Sequence, residues 1–334
     1  MNPGSSYNAL VVDKNKAGDT ELSIQTLNTG QLPNNDVLIR VHYSSLNFKD
    51  ALSAKGNPGV TRKFPHTPGI DAAGVVEQSS DSRFRKGDEV IVTSYDLGQN
   101  TWGGFGQFIS VPGDWVVPLP EGLTLKESMI FGTAGFTAAY GVKKIVDQNV
   151  HSDAGEVIVT GATGGVGTMA VAILAHLGYP VIAVTGKSDQ HGFLKKIGAS
   201  KIMDRQVVTD ISSKPMLSSR WVAGVDTVGG EMLDAVLRQT AHNGVITCCG
   251  NVLGGELDTS IYPFILRGVS LMGIDSGICL MEDRIEIWNK LATDWKIDSV
   301  DYLHREIKLE QLPAEIDKII DGKQVGRILV NLRS

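Results

Sequence analysis

The chain reads as an α/β protein in which a barrel-like β region is joined to a doubly wound parallel sheet. Three observations carry that expectation. The first third is dense in Gly and Pro and holds short strand-like runs separated by turn signals. From about residue 125 the texture changes to alternating helical and apolar-strand patterns. At the head of that alternation, the heptapeptide Gly161-Ala162-Thr163-Gly164-Gly165-Val166-Gly167 follows the apolar run Val157-Ile158-Val159-Thr160 directly.

In the first region, Val37 to Tyr43 and Gly74 to Glu77 are the clearest strands, and Lys86-Gly87-Asp88 is a turn. Helical patterns follow around 133–146, 165–177, 190–197 and 230–240. Apolar runs at 157–160, 181–185, 222–226, 244–249 and 269–274 interleave with them, which implies parallel strands with crossover helices. Beyond Asp275, a helix from about Asp283 to Leu291, the run Glu306 to Leu309, a helix near 312–321 and the run Arg327 to Val330 are too short to form a domain, so this tail rejoins the first region. The run Val269 to Ile274 is expected at the edge of the parallel sheet.

The glycine heptapeptide carries the functional signal. Val166, Met169, Ala170, Ile173 and Leu177 fall at helical spacing, Gly178 can cap the helix, and Val181 to Val184 supplies the next strand. In a strand-turn-helix of this kind, glycines let the backbone approach a pyrophosphate while the helix start stabilises its charge. The expected ligand is a dinucleotide, with Gly164, Gly165, Val166 and Gly167 around its phosphates. An NAD site presents a carboxylate at the end of the second strand, about twenty residues beyond the glycines. Here that strand ends in Thr185-Gly186-Lys187, a hydroxyl and an ammonium suited to a 2′-phosphate, so NADPH is expected. Asp189 lies past the strand and reads as a helix-start acid.

Composition excludes several classes. With 334 residues there is room for two domains. A net charge of −6, from 31 basic and 37 acidic side chains mixed along the chain, offers no basic field for nucleic acid or anionic lipid. The start lacks a signal-like apolar segment, and no run of about eighteen apolar residues occurs, so neither nucleic acid nor membrane is expected as a partner and the cytoplasm is the expected location. Cys248, Cys249 and Cys279 are too few and badly spaced for a disulfide framework or a metal site and read as buried apolar residues.

Several segments together resemble the medium-chain dehydrogenase/reductase superfamily, its zinc-free quinone oxidoreductase branch and, within that, the acrylyl-CoA reductase group. They are Tyr43 to Asp50, Pro68 to Gly74, Val111 to Trp115, Gly132 to Ala138, the glycine loop and Tyr262 to Val269. The resemblance implies a GroES-like β-barrel-type domain in two pieces, residues 1–124 and 277–334, flanking a Rossmann domain at 125–276 with the active site in the cleft. It also implies a homodimer paired through Val269 to Ile274.

The alcohol-dehydrogenase branch of that superfamily needs a thiolate near Asn47 and a His-Glu pair near Ile70-Asp71 to hold catalytic zinc. Its structural zinc needs four cysteines, and Asp88 to Gly113 holds none. No metal is therefore expected, and His66 reads as a hydrogen-bonded structural residue. Without a Lewis acid the fitting reaction is reduction of an already activated acceptor, whose carbonyl takes up the arriving charge. Asn47, through its amide, and Lys49, through its charge, are the catalytic candidates. Asp50 reads as a structural acceptor. The resemblance further implies cofactor contacts at Phe48, Thr133, Thr137, Arg205, Asn251, Ser276 and Arg327; Phe48 stands where several relatives carry Tyr, so a solvent proton replaces that hydroxyl. The leading expectation is NADPH-dependent reduction of a short enoyl-CoA, followed by quinone reduction, and then by a dinucleotide-binding protein with little catalysis.

Overall fold

The computed structural model describes residues 4–210, 212–297 and 300–333. The chain divides into two compact units, one of Met1–Thr133 with Gly277–Ala292 and Ser299–Ser334, the other of Ala134–Ser276 with Thr293–Asp298.

In the first unit the sheet runs in the order His304–Lys308, Arg327–Asn331, Val37–Leu46, Asp71–Ser79, Glu89–Thr93, Val116–Pro118, and Phe108–Val111 also pairs with Val37–Leu46. The first pair is parallel; all the other pairings are antiparallel. Val37, Ile39 and Val41 point inward while Arg40 is exposed, the period-two pattern of a half-buried strand. Their partners in the core include Val90, Val92, Ile109, Ile328 and Val330, so the C-terminal strands complete the apolar interior begun near residue 10.

The second unit holds a six-stranded sheet, all parallel, in the order Lys201–Met203, Val181–Val184, Val157–Val159, Trp221–Asp226, Thr240–Cys248, Ser270–Gly273. Numbered within the sheet this is 3-2-1-4-5-6, the Rossmann order, which reverses direction beside the first strand. The three-residue strand Lys201–Met203 has no sequence signature long enough to be recognised. Ser270–Gly273 lies at the edge, as the sequence led us to expect.

The helical segment Leu125–Asp147 is broken at Gly132, whose φ of 52° and ψ of −159° no helix contains. The first stretch of the first unit ends directly afterwards, at Thr133. The three cysteines correct another expectation, for each is half-buried rather than sealed in the core.

Candidate active site

Asp71 begins its strand with no exposure to water, and its carboxylate gathers donors from three segments. Oδ2 accepts from Ser45 Oγ (2.5 Å), Asn47 Nδ2 (2.7 Å) and the Thr133 amide (2.9 Å). Oδ1 accepts from Thr133 Oγ1 at 2.6 Å. Arg327 Nη2 stands 3.9 Å from Oδ2, and the arginine is 2% exposed. Its remaining donors reach Ile130 O, Leu46 O, Asn47 Oδ1 and Ser45 Oγ. A Cβ on Gly132 would lie 2.6 Å from Asp71 Oδ2 and 2.8 Å from Arg327 Nη2, so the helix break and the cluster require each other.

Asp50, third residue of the helix Phe48–Ala54, accepts from the Asn47 and Ile70 amides at 2.8 Å each, which ties the helix start to the strand carrying Asp71. Complete burial, with the Asp71 charge adding to it, pushes the Asp50 carboxyl up to about 7. Burial also works against the Arg327 charge, whereas Asp71 and Asp50 favour it. His66 is buried, bonds Gly98 O at 2.9 Å and Ser53 Oγ at 3.0 Å, and is pushed down to about 4 by its burial.

The residues expected from sequence take the following positions. The Asn47 amide is turned inward onto Asp71, and its carbonyl accepts from Arg327. Arg327, expected as a cofactor contact, donates to internal acceptors. Lys49 and Phe48 lie on the exposed side of their short helix, outside the cluster. Thr133 is held to Asp71 through both its amide and its hydroxyl. Sequence reasoning had treated Asp71 only as a missing zinc ligand; the signal was a carboxylate inside the apolar run Ile70 to Val76.

In the second unit, the helix Gly165–His176 begins at Gly164, which offers no side chain as a cap, so the first amides stay available to a ligand. Gly161 has a φ of 59°, and a Cβ on Gly167 would sit 2.8 Å from the Ala162 Cα, so the loop and helix approach more closely than a side chain allows. Asp226, 1% exposed, braces the loop from the strand across the switch point: it accepts from Thr160 Oγ1 at 2.7 Å, and Thr227 donates to Thr160 O at 2.9 Å. Asp226 was also overlooked in sequence, as a lone charge closing Val222 to Val225.

Thr185 Oγ1 accepts from the Lys187 amide at 3.1 Å and lies 3.4 Å from Thr163 Oγ1 of the glycine loop. A Cβ on Gly186 would be 2.9 Å from Arg205 Nε, so the guanidinium lies over the bare glycine backbone. Burial lowers the Lys187 ammonium, opposed by Asp189. Thr163, Thr185, Gly186 and Arg205 are thereby brought together at the end of this strand, with Lys187 next in sequence. Elsewhere in this unit Thr137 and Ser276 share a hydrogen bond of 2.6 Å, and Asn251 lines a cavity of about 610 Å³ with Cys248, Cys249 and Asp275. Among the described residues no group of three or more His, Cys, Asp or Glu is placed to hold a metal ion, and no helix is long and apolar enough to cross a membrane.

Comparison with known proteins shows the family of the chain. Residues 33–121 match the alcohol dehydrogenase GroES-like domain and residues 165–293 the family described as zinc-binding dehydrogenase. The putative quinone oxidoreductase YhfP of Bacillus subtilis is 44% identical over 98% of this chain and 99% of its own length. A crystal structure of Bacillus subtilis yhfP with NAD bound superposes with a TM-score of 0.95 at 43% identity, covering 98% of this chain and all of that one. The acrylyl-CoA reductase AcuI of Ruegeria pomeroyi is 41% identical over 98% of this chain and all of its own length. The yhdH oxidoreductase of Salmonella enterica, solved in complex with NADP, has a TM-score of 0.95 at 43% identity, again covering 98% of this chain and all of the other. End-to-end identity at this level, on a GroES-like unit and a sheet in Rossmann order, places the chain in the medium-chain dehydrogenase/reductase superfamily, beside the relatives named quinone oxidoreductase and acrylyl-CoA reductase.

Proposed function

We propose that the protein is an NADPH-dependent oxidoreductase that reduces the activated C=C bond of a short enoyl-CoA such as acrylyl-CoA, without zinc. The observation that supports the cofactor choice is the strand end Thr185-Gly186-Lys187, with the Arg205 guanidinium over Gly186, where an NAD site would present a carboxylate. NADPH, when bound, supplies a hydride to the acceptor. The glycine loop would hold its pyrophosphate, the strand end its 2′-phosphate, and Thr137, Ser276 and Asn251 its nicotinamide side.

Zinc-free chemistry is supported by the residues themselves. Asn47 and Asp71 occupy the positions that the resemblance assigns to ligands, and the positive charge set against Asp71 belongs to Arg327. The acceptor is supported by the AcuI relatives. The YhfP relative, named for quinones, supports a second reading in which a quinone is reduced on the same scaffold. In both, an acceptor conjugated to a carbonyl delocalises the arriving charge onto oxygen, so a metal is not required to polarise it.

The test is consumption of NADPH with acrylyl-CoA, crotonyl-CoA and small quinones. With C4-deuterated NADPH the label should appear on the β-carbon of the product, and in heavy water the solvent deuteron should appear on the α-carbon. Brisk quinone turnover with none on enoyl-CoA would move the assignment to the second reading. No turnover with either would leave a dinucleotide-binding protein. Elemental analysis should find far less than one zinc per chain.

A further inference from the structure

The first unit is made of separate stretches of chain, of which one ends at Thr133 and the next begins at Gly277. Two consecutive residues just past the strand Glu89–Thr93 bond both points. Ser94 Oγ lies 3.0 Å from Thr133 Oγ1, and because that hydroxyl gives its proton to Asp71, Ser94 is the donor. The Tyr95 amide donates to Gly277 O at 3.1 Å. Further contacts hold the turn in place. The Ser94 amide donates to Ile70 O at 2.7 Å, and Gln99 Nε2 donates to Tyr95 O at 2.6 Å. The Tyr95 ring stacks on Trp115 with planes 4° from parallel. Buried Arg284 lies 4.4 Å from the ring centroid and donates to Thr93 Oγ1 at 2.8 Å and to Gly277 O at 3.2 Å.

Both turn residues are left-handed, with φ of 65° at Ser94 and 51° at Tyr95. In an L-residue this conformation crowds Cβ against the following carbonyl, so it persists only while its surroundings enforce it. The contacts named above do so jointly. A turn held in this way responds as a unit: when an anchor at Ser94 is lost, the backbone relaxes toward ordinary φ values, and that rotation turns the Tyr95 amide away from Gly277 O. The same relaxation started at Tyr95 withdraws the Ser94 hydroxyl from Thr133. We infer that the Ser94-Tyr95 turn is a strained clasp that ties Thr133, and through it the Asp71 cluster, to Gly277, so that a change at one end loosens the other.

The test is amide hydrogen exchange, read by mass spectrometry on peptides covering residues 131–137 and 277–283, in wild type, Ser94→Ala and Ser94→Gly. It needs no substrate, so its outcome is independent of the acceptor. Both variants lose the hydroxyl bond to Thr133 and should exchange faster over residues 131–137. Ser94→Ala keeps a Cβ, so its turn relaxes, and residues 277–283 should exchange roughly tenfold faster than in wild type. Glycine adopts a φ near 65° without that crowding, so Ser94→Gly keeps the turn and residues 277–283 should stay at the wild-type rate. A wild-type rate over residues 277–283 in Ser94→Ala, or equal acceleration there in both variants, overturns the inference. If Ser94→Ala accelerates exchange throughout the unit, the strand Val37–Leu46 included, the clasp is opened from its other end. Gln99→Ala removes the bond to Tyr95 O, and residues 131–137 should then exchange roughly tenfold faster; an unchanged rate there overturns the inference equally.

Discussion

Arg327 Nη2 lies 3.9 Å from Asp71 Oδ2, with both side chains withdrawn from water and every other donor of the arginine occupied by a backbone or side-chain oxygen. Such a pair is costly to break, because either partner alone is a buried uncompensated charge. Arg327→Ala should therefore destabilise the protein by about 3–5 kcal/mol, read as a lower urea midpoint. Arg327→Lys should fall between the two, since one ammonium cannot serve four acceptors set out for a planar fork. A wild-type midpoint in Arg327→Ala would show that the cluster carries no stability.

The strand end Thr185-Gly186-Lys187, with Arg205 over Gly186, predicts a selective loss. Lys187→Ala and Arg205→Ala should each weaken NADPH by about 1.5–3 kcal/mol while leaving NADH almost unchanged, measured by fluorescence titration. The NAD-bound yhfP structure makes the comparison pointed. Equal affinity of the unmutated protein for both cofactors would remove the basis of the NADPH assignment.

Two buried groups bend the stability curve in opposite senses. Asp50 is raised from 3.8 to about 7, so the folded protein holds its proton more tightly than the unfolded chain. Its contribution is present at low pH and lost as pH rises across that window; Asp50→Asn should flatten the decline. His66 is lowered from 6.5 to about 4, so its contribution is present above 6.5 and lost as pH falls toward 4. An NMR titration of the His66 ring should show no change of charge between about pH 5 and 8. A midpoint near 6.5 would contradict the burial argument.

Burial, with the Asp226 charge adding to it, raises the Cys248 thiol and pushes Cys249 up to about 12. Alkylation by iodoacetamide, followed by peptide mapping, should be slow at neutral pH and rise roughly tenfold per pH unit from about pH 7 to 9, as the thiolate fraction does. Rapid labelling at pH 7 would mean that these thiols are activated.

Ser270–Gly273 is a sheet edge, and Val252, Ile261, Ile265 and Leu266 in the same unit are exposed apolar side chains. Long unpaired edges and apolar patches are normally covered. Light scattering at micromolar protein should give the mass of a homodimer, and Leu266→Glu with Ile265→Glu should shift it toward monomer. A monomer in the unmutated protein would end this expectation.

The Rossmann unit was legible because its signals are local. An apolar run, a glycine turn and a 3.6-residue periodicity are adjacent in sequence, and the order of alternation dictates the sheet. The approach of Arg205 to the strand end at Gly186 was half legible. Thr185 and Lys187 follow a strand directly, whereas Arg205 lies beyond a short strand that leaves no pattern. The polar cluster was the least legible part, because hydrogen bonds joining residues 45, 71, 133 and 327 have no periodicity. A sequence displays which groups are present but not where their donors turn, so the hydrogen bonds of Asn47 and Arg327 to one another and to Asp71 and Ser45 could not be read from it. Lys49, one residue from Asp50, shows how narrow the margin is: the helix turns one side chain into the core and leaves its neighbour in water.

The brace formed by Asp226, Thr160 and Thr227 bears on the kinetics of encounter. A loop rich in glycine loses much conformational freedom when a ligand orders it, and that loss weakens binding and slows capture. Here the chain is already fixed on both sides of Gly161 by bonds that involve no ligand, so the ordering cost belongs to folding and not to association. Nucleotide capture should consequently be fast and single-phase in stopped flow, whereas Asp226→Ala should introduce a slow rearrangement while leaving the phosphate-binding residues themselves intact.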